Sequence, residues 1–210
     1  MDLTFYISAF VALFVIIDPI GLAPLFLAMT HGTKKAERRA IGRRAILLAF
    51  FLLMLFGLLG DAVLGFIGIS IPAFRIAGGI LLFLTALDML FERRTKRRDH
   101  TAEEEERPDP SVFPLAIPLL AGPGAITTMI LLVGQAGSPV EAAGVFVVMA
   151  LVLAVVALMF RSAGLLERAL GRTGTVVATR LLGMLLAALS VQFVLDGLRG
   201  AGMIATTVAG

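Results

Sequence analysis

The stretch VIIDPIGLAPLF, residues 15–26, decides how this chain is read. It lies inside an apolar run from Leu3 to Met29 that is greasy enough to cross a bilayer, yet it carries an acid, two prolines and a glycine. Each of these breaks a rule of a regular membrane helix. Pro19 and Pro24 remove backbone donors and clash with the preceding turn. Gly21 permits a turn or the close approach of another backbone. Asp18 is the costly residue, since a carboxylate near mid-membrane costs about 2.5–3.5 kcal/mol on insertion scales. One straight helix over 3–29 would also be about 40 Å long, against a hydrocarbon core of about 30 Å. A tilted span absorbs the excess length, but a helix that stops near Asp18 and restarts accounts for the residues as well. Backbone left unpaired at that depth survives only where it is buried in protein or lines a cavity. The stretch is therefore a candidate site.

Composition points to the same class of protein. Of 210 residues, 59% are apolar and 16% charged, with a mean hydropathy of +0.98. A soluble domain of this size cannot hide so much apolar surface, whereas a polytopic membrane protein has no need to. The absence of cysteine excludes disulfides, thiol redox chemistry and thiolate metal sites. His31 and His100 both fall in charged connecting segments, so no metal site is expected. The first residues, Met1-Asp2-Leu3, lack the positive region of a secretory signal, and the first span is expected to be retained.

Six apolar segments follow, at about 3–29, 41–60, 71–91, 112–134, 141–160 and 176–198, each near the roughly 20 residues that a span needs. The basic residues between them are one-sided. Lys34 to Arg44 follow span one, Arg93 to Arg107 follow span three, and Arg161, Arg168 and Arg172 follow span five. The other face receives little beyond Arg75 and Arg199. The positive-inside rule puts the basic segments in the cytoplasm and both termini outside. This retention role explains the pI of 9.9 better than nucleic-acid or specific lipid binding does. RRTKRRDHTAEEEERPDP (93–110), a basic block and then an acidic one, reads as a solvated linker between a first unit, 1–92, and a second, 111–210.

The two units are related. A shift of 104 residues puts Pro19 on Pro123, Glu37 on Glu141 and Gly60 on Gly164. A shift of 105 puts Arg75 on Arg180, Gly78 on Gly183 and Thr85 on Ser190. Three spans per unit force the second copy to enter the membrane from the opposite side. The expected fold is thus all-α and polytopic, with six spans arranged as two inverted three-helix repeats whose first helices are interrupted. In many secondary transporters two such interruptions meet near the midplane and form the binding site.

The second interruption is PLAIPLLAGPGAITT, 114–128. Pro114, Pro118 and Pro123, with Gly122 and Gly124, cannot all sit in one regular helix. Pro123 suits the first position of a restarted half-helix, whose open N–H groups and positive end suit a carboxylate. Thr127 and Thr128 add hydroxyls one turn on. Asp18 matches Gly122 in the repeat, so two hairpins of similar shape carry unlike charge. An acid facing open amides suits a zwitterion.

Blander readings accompany these. Asp18 is also suited to pair with Arg75 or Arg180, both of which can instead snorkel to the interface. Thr85 and Ser190 are placed to bond back to their own helix. Gly57, Gly60, Gly78, Gly79 and Gly183 suit close helix packing, and faces such as 57–68 suit packing within a monomer or across a homo-oligomer.

DPIGLAPLF, FRIAGGILLFLTALDML, the PLAIPLLAGPGAITT segment and the terminal RLLGMLLAALSVQFVLDGL together resemble the MarC family of bacterial and archaeal inner-membrane proteins. The similarity covers nearly the whole chain, with the motifs in the same order. It implies six spans and a relationship to the lysine-exporter superfamily, some members being described as transporters of small neutral amino acids such as glycine and alanine. Drug export does not follow from the family's name. By motif match, Asp18, Pro19, Gly21, Gly122, Pro123, Gly124 and Thr127 form the expected centre. The leading expectation is a secondary transporter of small neutral amino acids or similar solutes. No enzymatic activity and no cofactor are expected, with a proton or sodium as candidate coupling ion and the bilayer as its surroundings. Rival classes are an intramembrane enzyme pairing Asp18 with Asp61, and a non-transporting scaffold or sensor.

Overall fold

The computed structural model describes residues 3–91 and 109–204. They form α1 (Leu3–Ile17), α2 (Pro19–Met29), α3 (Lys35–Ile67), α4 (Ile71–Leu90), α5 (Ser111–Leu120), α6 (Pro123–Gly134) and α7 (Pro139–Gly200). All are helical. Five stretches are long and apolar enough to cross a membrane, and a sixth if the bent pair α5–α6 counts as one. The linker reading for 93–108 lies outside the described residues.

Both interruptions exist, but they differ in shape. The first is slight. The Asp18 amide donates to the Phe14 carbonyl and the Leu22 amide to the Asp18 carbonyl, so the helical ladder resumes on either side. At the second, α5 and α6 meet at 53°. The backbone of α5 is extended at Phe113 and Ile117, each the residue before a proline. Its Leu115 and Ala121 amides reach back five residues, to the carbonyls of Pro110 and Ala116. Two hairpins of similar shape are therefore not what forms. Pro114, Pro118 and Pro123 crowd the second break, whereas Pro19 alone opens the first.

Two boundaries also move. The sequence puts span two at 41–60, but α3 has 33 residues, about 50 Å of helix. Its added first turns are built from Lys, Ala, Glu and Arg, which are good helix formers, so Arg38 to Arg44 stand on a helix rather than in a loop. Likewise the segment after span five winds into α7, which has 62 residues and one departure from helical backbone, at Gly171 with φ 62 and ψ 178. That conformation is essentially restricted to glycine. The two limbs of α7 able to span are Pro139–Leu165 and Thr173–Gly200.

Packing places the broken elements in the middle. The Leu3–Met29 window is 50% buried, against 22% for the windows in Lys35–Ile67 and Thr173–Gly200. Phe51, Leu58 and Phe66 of α3 and Leu181 and Leu185 of α7 stay exposed, as an apolar face that lipid covers. Tyr6 meets Gly144, and Phe26 stacks on Phe160 with ring centroids 4.1 Å apart. The α1–α2 rod therefore runs parallel to the first limb of α7. Helix α4 runs antiparallel to the second limb: Pro72 meets Gly197 and Gly200, Gly79 meets Ser190, and Met89 meets Gly183. At the end carrying the basic residues, Arg44 pairs with Asp109 at 3.3 Å. The Ser111 amide, which donates to Asp109, together with Arg44 holds the Asp109 carboxyl below the usual carboxylate range.

A Cβ on Gly79 would lie 2.7 Å from the Ser190 carbonyl oxygen, a backbone atom that cannot swing away. Gly79→Leu is expected to lower unfolding free energy by about 1–3 kcal/mol. On Gly65 a Cβ meets nothing within 4 Å, so Gly65→Ala is expected to raise it by about 0.5–1 kcal/mol. Unfolding in detergent followed by circular dichroism measures both, and an unchanged Gly79→Leu protein would contradict the α4–α7 packing.

Candidate functional site

Asp18 is the one non-glycine residue with positive φ among the described residues. At φ 52 and ψ 65 it is left-handed, a conformation that costs most residues about 1–2 kcal/mol and that Asp tolerates by bonding locally. Here its Oδ1 accepts the Gly21 amide at 2.9 Å. Asp18 thereby caps α2, and Pro19 fills the first helical position, where a missing N–H costs nothing. The carboxylate rests on the positive end of α2, which helps an acid only 2% exposed to survive. A Cβ on Gly21 would run into Asp18 Oδ2 and lie 2.9 Å from Thr179 Oγ1. Glycine thus leaves the carboxylate its room, and α7 reaches the first break through Thr179.

The second break is built differently. Gly122, with φ −79 and ψ 168, precedes α6 without a side-chain cap, and Pro123 opens the helix. The first amides of α6 have no intrahelical acceptor. A Cβ on Gly122 would strike the Pro118 carbonyl oxygen. Thr127 is buried against Gly78 of α4. Thr128 is 0% exposed, and its hydroxyl has no hydrogen-bond partner. The contrast is local. Thr30, Thr85 and Ser190 all donate to a carbonyl one turn back in their own helices. A hydroxyl buried without a partner costs about 1–3 kcal/mol, which marks Thr128 as a point where a polar guest would gain.

The two breaks lie side by side. A Cβ on Gly124 would sit 3.4 Å from Ile16, two residues before Asp18, and would also press on Leu82 of α4. Asp18, Pro19, Gly122, Gly124, Thr127 and Thr128 are all buried here, and Gly21 is partly so. Pro123 is exposed. Arg75 is half-buried near the start of α4, and Arg180 is exposed on the second limb of α7. Asp18 and Arg180 each hold partners. Asp61 is exposed toward the end of α3. Among the described residues no group of three His, Asp or Glu side chains could hold a metal ion. Thr179 carries no signal in the sequence beyond standing next to the repeat-matched Arg180. Gly78 reads as a packing residue, and it does pack, but against Thr127 of the site.

Substitutions at Asp18 separate cap from charge. Asp18→Asn keeps the side-chain acceptor and the left-handed tolerance, so its unfolding free energy is expected within about 1 kcal/mol of the parent. Asp18→Ala loses the cap and acquires backbone strain, an expected loss of about 2–4 kcal/mol. Equal losses in the two variants, measured by unfolding in detergent, would contradict this geometry.

Comparison with known proteins adds the family. Residues 3–202 match the MarC family of integral membrane proteins. A UPF0056 membrane protein of Archaeoglobus fulgidus is 42% identical over 199 residues, covering 93% of each chain. The UPF0056 membrane protein YvbG of Bacillus subtilis is 37% identical over 204 residues, covering 95% of this chain and 97% of its own. YhcE of Escherichia coli, also a UPF0056 membrane protein, is 37% identical over 202 residues, covering 95% and 94%. No solved structure matches the chain. With all six apolar segments inside the matched region, this multi-pass membrane protein belongs to the MarC family.

Proposed function

We propose that the protein is a secondary transporter of small neutral amino acids, or similar small solutes, built as two inverted three-span repeats and working by alternating access. The observation that carries this reading is the meeting of two broken spans, one from each half, at Ile16 and Gly124. One break brings a buried carboxylate. The other brings uncapped amides and a hydroxyl without a partner.

The repeat reading draws support from positions and from contacts. Pro19 and Pro123 open α2 and α6, and Glu37 and Glu141 stand in the first turns of α3 and α7. The contacts also exchange. The α1–α2 rod packs on span five through Tyr6 and Gly144, and α6 packs on span two through Ile130 and Gly60. Thr179 of span six reaches the first break, and Gly78 of span three reaches the second. Spans three and six face each other antiparallel, as a two-fold axis in the membrane plane requires.

In this reading the substrate carboxylate faces the amides after Gly122, and Asp18 takes the ammonium or a coupling proton or sodium ion. Thr128 adds a hydrogen bond, and Ile16 and Leu82 beside Gly124 limit the guest to a small side chain. Apart from Pro123 and the partly buried Gly21, the site residues are buried, which suits an occluded step. The basic end is cytoplasmic, and the membrane is the inner (plasma) membrane.

Two other readings compete. Tight packing of Thr127 on Gly78 and of Leu82 on Gly124 suits a non-transporting scaffold or sensor. An intramembrane enzyme would need Asp18 and Asp61 close enough to share a proton, and Asp61 stands exposed.

Purified protein in liposomes is expected to take up labelled alanine or glycine when a proton or sodium gradient is imposed. Asp18→Asn should abolish uptake without unfolding the protein. Thr128→Val removes that unpaired hydroxyl, so it should raise unfolding free energy by about 1–3 kcal/mol while cutting uptake about tenfold, the worth of one hydrogen bond. Absence of uptake across a broad amino-acid panel, with either gradient, would overturn the proposal.

A further inference from the structure

The basic residues that orient the chain are not spread evenly over its end. Lys35, Arg38, Arg39 and Arg43 from α3 and Arg161 from the first limb of α7 line one cavity of about 760 Å³. No acid among the described residues lines it. By contrast, Arg44 pairs with Asp109, and Arg199 with Asp196. Five cations that no described acid pairs with, around a partly apolar hollow, focus a positive potential that favours an anion.

Two further features belong to the same wall. The side chain of Arg38 donates through Nη2 to the Thr30 carbonyl at 3.3 Å, which anchors it. Its Nε is buried and has no partner. The cavity also reaches Lys35 and Ala36, at the start of α3, a helix that no side chain caps. Open amides at a helix start favour phosphate. Arginine forks bind its oxygens two at a time.

The rest of the lining says where the phosphate comes from. The stacked Phe26 and Phe160 back the cavity, and Leu47 and Leu165 line it while remaining 48% and 68% exposed. The charged end therefore runs directly onto a surface meant for acyl chains. A soluble anion would leave that surface unused.

We propose that this cavity binds the headgroup phosphate of an anionic phospholipid, whose acyl chains lie along Leu47 and Leu165. Basic pockets between spans at a membrane face are suited to such headgroups, and doubly charged ones most of all. The site is separate from the paired breaks, so it stands whether or not the protein transports amino acids. The basic residues then do more than retain a loop: they fix a lipid where α2, α3 and α7 converge.

Native mass spectrometry of the purified chain, titrated with phosphatidylglycerol, cardiolipin or phosphatidylcholine, tests this. Cardiolipin and phosphatidylglycerol are expected to be retained about tenfold more than phosphatidylcholine. Arg43→Gln with Arg161→Gln, and separately Arg39→Gln, should lower that preference, the double variant to the phosphatidylcholine level. Arg199→Gln, at a cation already paired with Asp196, should keep it. Circular dichroism checks that each variant is folded. A double variant that retains anionic lipid as the parent does would overturn the proposal. So would displacement of bound lipid by millimolar inorganic phosphate, which would make the ligand a soluble anion.

Discussion

A proline in the middle of a membrane span leaves backbone groups that lipid cannot satisfy, and they must be covered by protein. Much of the architecture follows from that. The two segments carrying such breaks, at Asp18 and at Gly122–Pro123, lie inside, and the unbroken spans α3, α4 and the second limb of α7 turn apolar faces outward. Each break is closed by a different device. Asp18 supplies its own side chain as the cap for α2. At α6 no side chain does so, and the helix start stays electrostatically open. Glycines then let the neighbours come close: Gly21 beside Thr179, Gly78 beside Thr127, Gly79 beside the Ser190 backbone.

Placing an acid where the chain could have had a neutral cap has a cost, and the geometry shows what offsets it. A left-handed backbone, a 2.9 Å bond from the Gly21 amide and the positive end of α2 all act on the same carboxylate. At the second break, Thr128 keeps a hydroxyl buried and unsatisfied while Thr30, Thr85 and Ser190 spend theirs on their own helices. In the proposed reading, these two unlike polar features serve a small molecule with both signs of charge. At the basic end the logic is repeated on a larger scale, with a cluster of guanidinium groups that the described acids leave unneutralised.

Much of this is legible in the sequence because membranes narrow the choices. Proline and glycine inside apolar runs marked both breaks to the residue, since lipid tolerates so few exceptions. The chain is also classed by its family motifs, which run in order from DPIGLAPLF to the last span. The shapes of the breaks were not legible. Spacing alone does not say that Pro19 and Pro24 bend a span little while Pro114 and Pro118 break α5 at Phe113 and Ile117. Helix ends were misjudged wherever charged helix formers continued a span past the bilayer, as at Lys35–Ala40, because hydropathy reports burial in lipid and not helicity. Thr179 was invisible for a different reason: its role comes from a neighbour 158 positions away in the chain, Gly21, and no local pattern encodes that.

The absence of cysteine makes the central claim directly testable with a single thiol. Thr128→Cys, in vesicles of both orientations, can be challenged with a membrane-impermeant thiol reagent from either side of the bilayer. If the two breaks form an alternating-access site, the thiol is modified from each side in turn, and saturating alanine or glycine slows both reactions. A thiol reached from neither side, or from one side only whatever the substrate and gradient, would contradict it.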